Sequence, residues 1–187
     1  MNAIILAGGK SRRMGFDKAF IKIEGMPIIK RELSLLKKIF KEVIIVTNGL
    51  DKYRGFKKVS IIKDVIPERG PLGGIYSGLI SSNSLYNFVV ACDMPFINEA
   101  LIKYMIKNKE SYDIILPKIN GRYHPLFGIY NKRCLPIIKH MLEQNRLKIS
   151  DIFLKLKCYF ISRKKIEEFD QGLLSLVNIN TKDDLLW

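Results

Sequence analysis

The residues AIILAGGKSRRMGFDKA, 3 to 19, restrict what this chain can fold into more than any other stretch. Ala3 to Ala7 is short, apolar and β-branched at its centre, and Gly8-Gly9 stops it abruptly. Such a run reads as a strand buried on both faces at the centre of a sheet. The glycines then begin a turn whose backbone has no Cβ, so a ligand can press against its N–H groups. Lys10, Arg12, Arg13 and Lys18 surround that turn with positive charge. Phosphate is the fitting guest, and a basic surface turn is the plain alternative.

Two common phosphate loops are excluded. Gly9-Lys10-Ser11 suggests a P-loop, but the position where that motif needs its first glycine is Ile4, inside the apolar run. There is no G-x-G-x-x-G either.

Further apolar runs recur at Val43 to Thr47, Val59 to Lys63, Phe88 to Cys92 and Asp113 to Pro117. Between several of them lie segments with helical spacing. Pro27 to Phe40 places Ile28, Ile29, Leu33, Leu36 and Phe40 on one side; a second helix is expected from near Leu72 to about Ser81, and a third from Asn98, a fitting N-cap, to about Lys107. Strand and helix alternate. The expected fold is therefore α/β: a doubly wound, mostly parallel (mixed) Rossmann-like sheet with helices on both faces, in a single domain. Ligands of such sheets sit outside the C-terminal strand ends, where Gly8, Asp64 and Asp93 would emerge.

With 187 residues the chain suits one domain spanning 1–187, divided into a nucleotide-binding part over about 1–96 and an acceptor-side part over about 97–187. In the second part, GRYHPLFGIYN at 121 to 131 suggests a turn and strand, Lys132 to Glu143 a helix, and Lys182 to Leu186 a last helix. Lysines interrupt every hydrophobic run well short of a membrane span, and residues 2 to 7 are too short for a signal-peptide core, so a cytoplasmic protein without membrane contact is expected. Cys92, Cys134 and Cys158 contain no C-x-x-C, and only His124 and His140 join them, so any metal should be held mainly by oxygen. The formal charge of +14 predicts attraction to polyanions without choosing among them, and the lysines are spread as on a solvated surface.

Three features could carry chemistry. NFVVACDMPF ends an apolar strand in one carboxylate, Asp93, which suits Mg²⁺ together with substrate phosphates or serves only to form a turn. Gly74 and Gly78 share a helical face, which either lets a base or ribose approach or lets the helix sit tight on the sheet. Asp64 ends VSIIKD and either bonds a base or ribose or caps its own turn.

Taken together, LAGGKSRRMGFDKA, the Asp64 strand end, GPLGG, ACDMP and the terminal NINT resemble the molybdenum cofactor guanylyltransferases of MobA type, within the nucleotidyltransferases. The LAGG and DKA forms are closer to these than to the cytosine-reading relatives, which typically begin LAAG. The sequence departs from the family pattern at Asn145-Arg146, where a glycine is expected before the basic residue. The resemblance implies Mg²⁺-dependent transfer of GMP from GTP to the terminal phosphate of molybdenum-molybdopterin, with release of pyrophosphate. It further implies that Leu6, Ala7, Gly8 and Gly9 contact the nucleotide, that Lys18 and Arg13 serve its phosphates, and that Asn48 and Asp64 hold base or ribose. Asp93 would hold Mg²⁺. Asn178 and Asn180 would face the pterin, although Asn180 could complete the metal site, or the pair could form a polar turn capping the last helix. His124 is structural or an acceptor contact. Proteins that handle molybdopterin are implied partners. The alternatives are a related cytidylyl or sugar-phosphate nucleotidyltransferase and a basic nucleic-acid-binding module, for which no recognisable signature is present.

Overall fold

The computed structural model describes residues 1–8 and 17–179. Its centre is the strand expected from the opening run, β1 (Asn2–Leu6), every residue of which is buried. In chain order there follow β2 (Lys22–Ile23), β3 (Met26–Pro27), α1 (Ile28–Ile39), β4 (Val43–Val46), β5 (Ser60–Ile62), α2 (Gly70–Ser81), β6 (Tyr86–Ala91) and α3 (Glu99–Lys107). The second half adds β7 (Ile114–Ile119), β8 (Arg122–Tyr123), β9 (Phe127–Asn131), α4 (Leu135–Glu143), β10 (Cys158–Ser162) and α5 (Arg163–Glu167).

The main sheet runs β10-β7-β9-β6-β1-β4-β5, with β8 paired to β7; β2 and β3 form a separate hairpin. β1 lies parallel to both β4 and β6, and β5 continues the parallel set. β9 is reversed, antiparallel to β6 on one side and to β7 on the other, and the short β8 is likewise antiparallel to β7. The mixed, mostly parallel sheet expected from the alternation is thus present.

Side-chain alternation along β1 divides the core. Ala3 and Ile5 face the layer that contains Leu33 and Leu36 of α1, Leu101 and Met105 of α3 and Ile166 of α5. Ile4 and Leu6 face Leu72, Ile75 and Leu79 of α2 and Ile138 and Met141 of α4. Helices cover both faces because each strand residue points opposite to its neighbours. The two glycines of α2 serve this packing: a Cβ on Gly78 would come within 2.5 Å of Ile4 Cγ2, and one on Gly74 within 3.2 Å of Leu6 Cδ2. Of the two readings open for that pair, the close seating of helix on sheet is the one these contacts support.

Several boundaries shift for local reasons. α2 starts at Gly70, two residues before the expected Leu72, with Pro71 in its first turn where a missing N–H costs nothing. Asn98 caps α3 as anticipated, its side chain accepting from Leu101 N. β10 and α5 had no expectation attached to them; CYFIS sits at the sheet edge, only Ile161 of its five residues is buried, and it lacks the apolar uniformity of the central strands. The helix anticipated over Lys182 to Leu186 lies outside the described residues.

Candidate active site

Asp93 follows β6 by two residues, and two separate segments converge on it. Lys18 Nζ lies 3.3 Å from Asp93 Oδ2, and both side chains are largely shielded from solvent. Asn178 Nδ2 donates to Asp93 Oδ1 at 2.6 Å, and Ile179 N donates to the Asp93 carbonyl at 2.8 Å. Positions 75 and 85 residues away in sequence are therefore joined on one carboxylate.

Each arm has a local cause. Lys18 opens a 3₁₀ turn, Lys18–Phe20, capped by Asp17, whose carboxylate accepts from Ala19 N at 3.3 Å. Asp17 also lies 3.4 Å from both Lys52 Nζ and the Tyr53 hydroxyl, which fixes the end of the opening loop to the segment after β4. Asn178 is exposed, but its neighbour Ile179 is fully buried with Ile21 and Ile28, and that small apolar cluster sets Asn178 beside Asp93.

The other expected residues lie along the same edge of the sheet. Leu6 ends β1, with its carbonyl accepting from Cys92 N at 3.2 Å, while Ala7 N donates to Val46 O at 2.9 Å. Gly8 is exposed, and a Cβ there would meet nothing within 4 Å among the described residues. Asn48 is exposed just past β4. Asp64, just past β5, uses Oδ1 to accept from the Ser77 hydroxyl at 2.7 Å and from Ile66 N at 3.1 Å. That is the turn-capping role. Its Oδ2 takes no hydrogen bond among the described residues and lies 3.6 Å from where a Gly73 Cβ would sit. Gly9, Arg13 and Asn180 lie outside the described residues.

A second carboxyl beneath the site escaped sequence reading. Glu32 of α1 is fully buried, and among the described residues neither of its oxygens has a hydrogen-bond partner. Burial raises its pKa well above the usual carboxylate value, with the nearby Asp93 charge adding to the rise and the Met94 backbone N–H opposing it. The signal was available: Glu32 falls four residues after Ile28 and four before Leu36, on the apolar stripe. Burial, followed by the charges of Glu32 and Asp93, likewise pushes the Cys92 thiol up and keeps it protonated.

The Asn145-Arg146 departure has a structural resolution. Asn145 takes φ +57°, the left-handed conformation that glycine favours and asparagine tolerates. Asn145 N bonds Leu142 O at 3.1 Å and Arg146 N bonds Met141 O at 2.8 Å, a Schellman ending for α4. The turn keeps its form without the glycine.

Comparison with known proteins places this geometry. The sequence pattern of the MobA-like NTP transferase domain matches residues 3–156. This chain belongs to that family. It is 40% identical over 191 residues to the "Probable molybdenum cofactor guanylyltransferase" of Natranaerobius thermophilus, covering 99% of this chain and 93% of that one. It is 38% identical over 187 residues to the "Molybdenum cofactor guanylyltransferase" of Desulfosudis oleivorans, covering 99% and 92%. The crystal structure of molybdopterin-guanine dinucleotide biosynthesis protein A from Archaeoglobus fulgidus superposes with a TM-score of 0.86 at 26% identity, over 100% of this chain and 95% of that chain. As a MobA-like NTP transferase the chain is a nucleotidyltransferase, as its opening motif implied. No helix among the described residues is long and apolar enough to cross a membrane.

Proposed function

We propose that this protein transfers GMP from GTP to the terminal phosphate of molybdenum-molybdopterin. An oxygen of the acceptor phosphate attacks the α-phosphorus of GTP and forms a new P–O–P bond. The bond between the α- and β-phosphates breaks, and pyrophosphate leaves with its electron pair. The attacking group is already an anion, so no side chain has to remove a proton, and no covalent enzyme intermediate is required.

The observation that carries this reading is the meeting of Lys18 and Asn178 on Asp93, on the sheet edge where β1 ends next to Gly8. Like-charge repulsion between acceptor phosphate and triphosphate opposes the reaction, and cations fixed at that point offset it. Lys18 binds the phosphates, with Arg13 as a further cation. Leu6, Ala7, Gly8 and Gly9 carry the nucleotide on their backbone, while Asn48 and the unused Oδ2 of Asp64 address base or ribose. Asn178 orients the Asp93 carboxylate and faces the acceptor, with Asn180 two positions further along the chain.

Asp93 would hold Mg²⁺. A single, partly shielded carboxylate matches an ion that uses one or two carboxylates, keeps several waters and takes substrate phosphates as its other ligands. When bound, the ion supplies charge neutralisation to the polyphosphate. Residues 1–96 form the nucleotide part in this reading and 97–187 the acceptor part, to which a molybdopterin-handling protein would deliver its cargo.

The test is a melting-temperature panel with ATP, CTP, GTP and UTP, each with and without Mg²⁺. A ligand at a hundred times its Kd stabilises by about 2.7 kcal/mol. GTP with Mg²⁺ should give the largest rise; an equal or larger rise with CTP would transfer the chain to the cytidylyl reading.

A further inference from the structure

Between β4 and β5 the chain folds back toward the segment that carries Lys18. Just after Asn48, Gly49 N donates to Thr47 Oγ1 at 3.1 Å, and a 3₁₀ turn follows over Leu50–Tyr53. Lys52 N closes it on Gly49 O at 3.2 Å, and Phe56 N bonds Tyr53 O at 3.0 Å. The last residue of that turn, Tyr53, is fully buried. Its ring centroid lies 5.3 Å from that of Phe20 and 6.2 Å from that of Phe56, with Phe20 and Phe56 6.4 Å apart. Phe20 ends the 3₁₀ turn that Lys18 begins. These rings clamp the Lys18 turn against the segment that starts at Asn48.

Packing alone does not call for a tyrosine at this position. Phenylalanine would fill the same space beside Phe20 and Phe56, and a buried hydroxyl costs free energy unless it finds a partner. The partner is Asp17: the Tyr53 hydroxyl donates to its carboxylate, 3.5 Å from Oδ1 and 3.4 Å from Oδ2. Burial first, and then the neighbouring Cys92 and Asp17, push the phenol pKa up, so the hydroxyl keeps the proton it donates.

The side-chain partners of Asp17 are not equal. Lys52 Nζ lies 3.4 Å from its Oδ2, but the lysine side chain is more than half exposed, where water and salt leave little of an ion pair. Tyr53 reaches Asp17 from the buried side. The carboxylate held in this way caps the next turn, Oδ1 accepting from Ala19 N at 3.3 Å, while Asp17 O accepts from Phe20 N at 3.0 Å. Ala19 is fully buried. Lys18 sits between these two fixed residues, and its Nζ stands 3.3 Å from Asp93 Oδ2.

We propose that Tyr53 is a positioning residue for nucleotidyl transfer: its hydroxyl braces the Asp17 cap, and the braced cap sets Lys18 where the triphosphate lies. Tyr53 itself touches no substrate. The role rests on the phosphate contact assigned to Lys18 under the proposed function, and not on the identity of the base. Because the brace belongs to the segment that follows Asn48, the base side and the phosphate side of the nucleotide site share one support.

The experiment is a double-mutant cycle on the full-length protein with Tyr53→Phe, Lys18→Ala and the two combined. Calorimetry in Mg²⁺ gives affinities for GTP and guanosine, with CTP and cytidine in parallel, and transfer assays give the KM for GTP and for the acceptor. Tyr53→Phe keeps the ring and should melt in one transition. It should weaken GTP binding about fivefold, the equivalent of one ordinary hydrogen bond, and raise the KM for GTP by the same factor. Guanosine affinity and the acceptor KM should keep their wild-type values. In the Lys18→Ala background the same substitution should change GTP affinity by less than about twofold, because its effect passes through the lysine. A hydroxyl that serves only the fold gives another pattern: the loss persists in full without Lys18, or guanosine loses as much as GTP. Either result overturns the positioning role, as does unchanged GTP affinity in Tyr53→Phe, and all three leave guanylyl transfer standing. Wild-type GTP affinity in Lys18→Ala would remove the phosphate contact and the brace together. The same coupling seen with CTP, in a protein that binds GTP more weakly, would keep the brace and remove guanylyl transfer.

Discussion

The two ends of the sheet's active edge are built by different means. At the β5-β4-β1-β6 end, four parallel strands stop in turn, and each releases its candidate side chain or glycine within two or three residues of its last paired position. At the β9-β7-β10 end, a reversed strand contributes its beginning to the edge, and the facing wall comes from residues after α4. The first construction leaves a local mark in sequence, an apolar run followed by glycine or aspartate. The second leaves none, because its parts meet only once the sheet has formed. Asp93 stands at the junction, with its carboxylate engaged by Lys18 from one segment and Asn178 from the other.

Breaking the junction should have the largest effect. Asp93→Asn should leave the fold intact and lower Mg²⁺-dependent turnover by about 10² to 10³, the scale for loss of a fixed electrostatic stabiliser. The loss should be the same at saturating concentrations of either substrate, since both ends depend on the junction. Near-normal turnover would remove Asp93 from the metal role.

A smaller and one-sided effect is expected from Lys18→Ala. A charge-assisted contact to phosphate is worth roughly 1.5 to 3 kcal/mol, or tenfold and more in affinity. GTP binding should weaken by at least about that factor, guanosine binding should hardly change, and the acceptor KM should stay close to wild type. Equal losses for GTP and guanosine in calorimetry would mean that Lys18 acts through the shape of the loop.

The smallest effect should fall on neither end. Glu32 lies under the junction, and its buried carboxyl keeps a proton that the unfolded chain releases above about its ordinary pKa of 4.5. The folded state then binds more protons than the unfolded one, so this group favours folding at low pH, and its contribution is lost as pH rises from 4.5 toward the folded value. Glu32→Gln should therefore be more stable than wild type at pH 8, by about 1 to 2 kcal/mol, with the difference shrinking toward pH 5. Melting curves at both pH values test this, and a gap that does not change with pH would show that the carboxyl titrates normally. Both KM values should be unaltered.

These contrasts explain what could be read from the chain before its structure. β1, β4 and β6 were legible because strands buried on both faces are continuous apolar runs, and α1 and α3 because their stripes repeat at helical spacing. Asp93 was legible as a lone carboxylate at the end of such a run. The β-strand at Cys158–Ser162 was not, since most of its residues are only half-buried at the edge of the sheet. Glu32 was passed over because its polar character hid its place on a buried stripe. The Tyr123, His124 and Phe153 grouping joins the β7–β9 loop to a 3₁₀ segment nearly thirty positions later, a proximity that no sequence period encodes. The Asn145 turn shows the reverse: a missing glycine suggested a lost feature, while the backbone retained it through asparagine's tolerance of positive φ.

The central claim is that the α-phosphate of GTP crosses from the nucleotide end to a phosphate held at the acceptor end. Its most direct measurement incubates the protein with Mg²⁺, molybdenum-molybdopterin and GTP labelled at either the α- or the γ-phosphate. The account predicts that α-label enters the cofactor, that γ-label leaves entirely as pyrophosphate, and that one pyrophosphate forms per acceptor consumed. Incorporation of γ-label, or equal incorporation from α-labelled CTP, would contradict it.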